Sequence, residues 1–166
     1  MSKASKAKVE AENKVVMGIK SLLEKLDIKD EDFRKGRVHS IVVNAIEDEW
    51  ERTNGFGEGR GKGVPKRLKL GIDVLKRTFT YGPIILAVEV DRGRRPYESW
   101  AKLMDVRSKY RIWIHVSNRV EAKTDFEESL KELKRILSDR EESKETMGNF
   151  VAFLKTPNFV HFETLL

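Results

Sequence analysis

Residues 68–91 read LKLGIDVLKRTFTYGPIILAVEVD, and the fold turns on them. Leu68, Leu70, Ile72 and Val74 alternate with Lys69, Gly71 and Asp73, the period-2 pattern of a half-buried strand. The pattern runs on towards Phe79, and Thr80-Tyr81-Gly82-Pro83 supplies a turn. Ile84 to Asp91 is then near-continuously apolar and closes on acids, as expected of a central strand covered on both faces. Two strands joined by a turn predict a hairpin inside a larger sheet.

On either side the period lengthens to that of helices. Val15, Val16, Ile19, Leu22, Leu23 and Leu26 mark one helix within 9–26, and Val38, Ile41, Val42, Ala45, Ile46 and Trp50 a second within 38–53. Residues 27–35 read as a charged connection, and 54–63, with five glycines, as a loop. Downstream, Pro96 suits the first turn of a helix reaching Val106. Tyr110 to Ser117 reads as a strand, and Thr124 to Leu137 as an amphipathic helix. Residues 147–154 read as a short helix and 159–162 as a short strand. This order predicts an α/β fold: a mixed central sheet flanked by helices, with the helix after Asp91 crossing over to a parallel strand. Residues 1–36 are assigned to an N-terminal basic tail and helix, and 37–166 to the α/β domain. Lying outside that domain, the first helix is expected to be available for forming a homodimer.

Composition removes several classes of function. The 166 residues include no Cys, which excludes a disulfide scaffold, a thiolate metal site and a thiol nucleophile. The longest apolar run, Ile84 to Val88, is too short to span a bilayer, so no membrane association is expected. The Lys- and Ala-rich residues 1–10 lack the apolar stretch of a secretory signal, so the expected location is cytoplasmic.

Charge is concentrated. Arg60 to Arg77 carries seven basic residues (Arg60, Lys62, Lys66, Arg67, Lys69, Lys76, Arg77) and one acid, a net of +6 that equals the whole excess of the protein. Arg92 to Arg111 adds seven more basic residues against Glu98 and Asp105. Local positive charge of this kind is the footprint of a polyanion partner, nucleic acid foremost. The glycine-rich loop with Arg60, Lys62 and Lys66 suits phosphate contacts, as do Arg92, Arg94 and Arg95 directly after Asp91. His115, alone on its strand, reads as a hydrogen-bonded packing residue.

Between these basic segments sit three carboxylates. Glu89 and Asp91 share one face of their strand, roughly 6–7 Å apart. Asp73 faces away from the apolar positions of its own strand, so hairpin pairing brings all three acids to one end of the sheet. Clustered carboxylates repel one another unless neutralised. Oxygen-only ligands select a hard cation, Mg²⁺ or Mn²⁺. On the second helix Glu49 falls within the apolar stripe, with Glu47 on the other side. An inward carboxylate needs a partner, and Arg52, Lys66 or a metal would serve.

Gly71-Ile72-Asp73-Val74, followed by Glu89-Val90-Asp91, resembles the PD-(D/E)xK nuclease superfamily, the fold of many restriction enzymes and Holliday-junction resolvases. The resemblance covers residues 38–117. It implies a restriction-endonuclease-like core of helix, three-stranded meander, helix and strand, and metal-dependent cleavage of phosphodiesters, with DNA the favoured substrate. By carry-over Asp73 and Glu89 resemble the metal ligands, and Glu49 resembles an acid that many members place on the first core helix. The family usually has Lys where this chain has Asp91. Asp91 is then a further metal ligand, or the lysine has moved to the next helix as Lys102. The helical wheel, with Tyr97, Trp100, Leu103 and Met104 as the apolar face, puts Lys102 nearly opposite and favours a surface lysine. The expected function is a Mg²⁺-dependent DNA endonuclease. The alternative is a non-catalytic nucleic-acid-binding or scaffold protein that keeps the fold.

Overall fold

A computed structural model of the protein describes residues 3–58, 62–63, 69–93 and 96–166, with side chains described outside 3–13 and 62–63. Six strands form one sheet in the order in which they occur along the chain: β1 (Lys62–Gly63), β2 (Val74–Arg77), β3 (Ile84–Asp91), β4 (Ser108–Val116), β5 (Asn149–Lys155) and β6 (Val160–Thr164). The pairs β1/β2, β2/β3 and β5/β6 are antiparallel, while β3/β4 and β4/β5 are parallel. Among the described residues, six α-helices accompany them, with a single 3-10 turn at Gly55–Gly57: α1 (Lys3–Lys25), α2 (Asp30–Arg34), α3 (Val38–Arg52), α4 (Tyr97–Met104), α5 (Ala122–Asp139) and α6 (Lys144–Met147). The fold is therefore α/β, with a mixed sheet between helices.

Parallel neighbours need a crossover, and α4 and α5 are the two crossovers. Both pack on one face of the sheet. Trp100 and Leu103 of α4 join Phe126, Leu130 and Leu133 of α5 and Leu75, Ala87 and Trp113 of the sheet in one core layer. The other face is covered by α1 and α3, where Val15, Ile19, Leu23, Val42, Ile46 and Trp50 meet Leu86, Val88, Val90, Ile112 and Phe153. Alternate residues of β3 thus enter different layers, which is why its sequence is continuously apolar from Ile84 to Val88.

Four expectations are corrected. Residues 69–73 are a turn, and the strand is Val74–Arg77. Leu70 and Gly71 have φ of 56° and 71°, and the Ile72 amide bonds back to the Lys69 carbonyl at 2.9 Å, so the alternation there is not a pleat. Residues 149–155 form a strand rather than a helix. A short apolar run does not reveal its period, and this one is buried on both faces between β4 and β6. The connection before Gly36 contains α2, whose Asp32 carboxylate accepts the Lys29 amide at 3.0 Å and Arg37 at 2.7 Å. Finally, the apolar face of α1 from Val15 to Leu23 lies inside the common core rather than outside the α/β domain.

Candidate metal and phosphodiester site

The β2–β3 hairpin sets Val74 opposite Val88, and so brings Asp73 beside Glu89. Two reciprocal bonds lock the corner. The Asp73 amide donates to Glu89 Oε1 at 3.1 Å, and the Val90 amide donates to Asp73 Oδ2 at 2.8 Å. His39, in the first turn of α3, places Nε2 3.0 Å from the same Asp73 oxygen. On the other side Lys102 of α4 sets Nζ 3.2 Å from Glu89 Oε2. Both Glu89 oxygens and Asp73 Oδ2 are therefore engaged, whereas Asp73 Oδ1 has no partner among the described residues.

Glu89 is the electrostatically unusual member. Only 2% of it is exposed. Burial, reinforced by the negative charge of Asp73, pushes its carboxyl up to about 7 against the opposing pull of Lys102. At neutral pH the group stands at the balance point between neutral and ionised. A cation placed at this corner would favour ionisation, because it relieves both causes of the shift.

Asp91 takes a different course. Its Oδ1 lies 2.7 Å from His115 Nδ1, and its Oδ2 accepts the indole N–H of Trp113. Asp91 pairs with His115 in register and thus bonds along β4 rather than towards Asp73. Among the described residues, no three His, Asp or Glu side chains are grouped closely enough to hold a metal. The expected triad is a pair, with Asp91 committed to orienting His115.

Of the partners open to Glu49, the structure shows Arg52. The ion pair is bidentate, at 2.6 and 2.9 Å, and that guanidinium holds Glu49 below the usual carboxylate range. The residue that faces the hairpin is Glu47, which accepts from the buried Lys76 and lies 3.4 Å from Lys69. The apolar stripe of α3 is wide because it meets both α1 and the sheet. Its two flanking acids consequently look in different directions.

Lys102 is not the free surface lysine that the wheel favours; its side chain is one-third exposed and its ammonium is inside the site. His39 was not anticipated, and no local pattern marks it, since its partner lies on a distant hairpin. Arg92 is exposed, with Nη1 3.5 Å from the Phe33 carbonyl. Arg60, Lys66, Arg67, Arg94 and Arg95 lie outside the described residues, as does the side chain of Lys62 in β1. Comparison of the chain with protein-family models, curated proteins and solved structures gives no match.

Proposed function

We propose that the chain is a metal-dependent phosphodiesterase acting on DNA, with the Asp73–Glu89 pair as its centre. The carrying observation is a buried glutamate held at about 7 between a second carboxylate and a lysine, near the C-terminal end of the internal strand β3. Perturbed groups of this kind gather at functional sites. The run α3, β1, β2, β3, α4, β4 supports the reading, because it is the element order that the nuclease resemblance implies. The preference for DNA rests on that resemblance.

The donor set fits Mg²⁺ or Mn²⁺. These ions keep several waters and are held by one or two carboxylates together with substrate phosphate oxygens, so a third protein ligand is not required. Asp73, through its unengaged Oδ1, and Glu89 would hold the ion. Such an ion polarises a phosphoryl oxygen and makes bound water more acidic. The chain supplies the remaining chemistry. Lys102 favours the ionised form of Glu89 and offers N–H donors where charge builds on the phosphate. The Val90 amide and His39 keep Asp73 in place.

The test is cleavage of supercoiled, linear, branched and single-stranded DNA with Mg²⁺, Mn²⁺ or EDTA. Cleavage should require metal and fall roughly 100-fold or more in Asp73→Asn and Lys102→Met. Salt-sensitive DNA binding without cleavage, unchanged by Asp73→Asn, would overturn the reading in favour of a binding protein.

A further inference from the structure

Beyond Glu89, at the same end of β3 and β4, a cleft of about 470 Å³ opens between α4 and α5. That is within the size range of small-ligand sites. Its sides differ in chemistry. Tyr97, 58% exposed, forms an aromatic wall, backed edge to face at 5.3 Å by the ring of Trp100. Trp100 is 1% exposed, and its indole N–H is buried without a partner among the described residues. His115 contributes to the lining and is fixed by Asp91 through Nδ1, so that Nε2 has no partner among the described residues. Arg92 stands exposed at the rim, while Arg119 is already tied to Asp125 at 2.8 Å. The α5 wall offers Glu128, an exposed acceptor without an ion pair among the described residues.

An aromatic face, a cationic edge and a carboxylate acceptor on the opposite wall match three features of a nucleotide with an amino-bearing base: base plane, phosphate and exocyclic amino group. We infer that this cleft takes one unstacked nucleotide of a single strand, its base against Tyr97, its amino group towards Glu128 and its phosphate towards Arg92 and His115. The inference rests on the nuclease reading and narrows it. The substrate then has an unpaired strand, because a base inside a duplex is stacked and paired and does not reach the cleft. A base bearing an amino group, such as cytosine, is preferred to thymine.

Binding without metal tests this independently of cleavage. Fluorescein-labelled oligo(dC), oligo(dT) and a fully paired duplex are titrated in EDTA against the full chain. The wild type is expected to bind oligo(dC) about tenfold more tightly than oligo(dT). Tyr97→Ala should weaken single-strand binding about 5- to 100-fold while leaving the duplex unchanged, since base stacking on an aromatic ring has that magnitude. Glu128→Gln should reduce the preference for oligo(dC). Equal binding of both oligonucleotides by the wild type, with no effect of Tyr97→Ala, would overturn the inference. Single-strand binding through Tyr97 in a protein that never cleaves would overturn the nuclease reading and leave the cleft assignment standing. Metal-dependent duplex cleavage indifferent to Tyr97 would do the reverse.

Discussion

Glu89→Gln is expected to stabilise the protein at pH 8 and to change its stability by less than about 1 kcal/mol at pH 5. In the folded chain the Glu89 carboxyl titrates near 7, against 4.5 for an ordinary glutamate. Between these values the folded state holds a proton that the unfolded state has released. Stability therefore falls as pH rises from about 4.5 to 7 and is flat above that. The whole penalty is about 3 kcal/mol at 1.36 kcal/mol per pH unit, a large share of the roughly 5–15 kcal/mol that holds a domain together. Glutamine has the shape of the protonated acid and carries no charge, so the variant escapes the penalty. The Lys102 ammonium it leaves behind is one-third exposed and finds water. Urea unfolding at half-unit intervals from pH 5 to 8 should show the two proteins diverging, with the wild type below the variant by at most about 3 kcal/mol at pH 8. Mg²⁺ should close the gap by stabilising the wild type alone. A variant less stable than the wild type by the same amount at every pH would show that Glu89 is a structural hydrogen-bonding group with no stored electrostatic cost.

Two further perturbations probe the scaffold. Gly148 enters β5 with φ of 87°, and a Cβ there would lie 1.6 Å from the Ser108 carbonyl oxygen. Gly148→Ala should therefore lose at least about 4 kcal/mol, seen as a collapsed thermal midpoint or as insoluble protein. Arg111 is fully buried, 2.7 Å from Glu142 and stacked over Phe150, and burial pulls its guanidinium below the usual arginine range. Glu142→Ala strands that charge and should cost about 3–5 kcal/mol in urea unfolding.

The parts of the fold legible in the sequence are those with a long or distinct period. β3, β4 and α5 are in this class, and so is the α4 crossover opened by Pro96. β5 was not, because Phe150 to Leu154 is a uniform apolar run whose strand geometry comes only from lying between two other strands. In the site, Asp73 and Glu89 were legible because hairpin pairing follows from local sequence. Lys102 was obscured by Tyr97, which counts as apolar on the wheel yet is exposed. Replacing it with the buried Ser99 turns the inward face of α4 by roughly 40° towards Lys102, at 100° per residue. Its four-carbon stem covers the rest. Glu47 and His39 depend on how α3 sits against a hairpin more than twenty residues away, which no local window contains.

The sharing of one core layer by α1 and β6 bears on how the chain is made. Val160 and Phe162 of β6 pack into the layer that holds Val15, Ile19 and Leu23. At about 5–20 residues per second, a ribosome needs roughly 7–30 s to proceed from α1 to β6. Throughout that interval the apolar stripe of α1 lacks part of its permanent cover. Until β6 follows, that uncovered part of the α1 stripe is open to a chaperone.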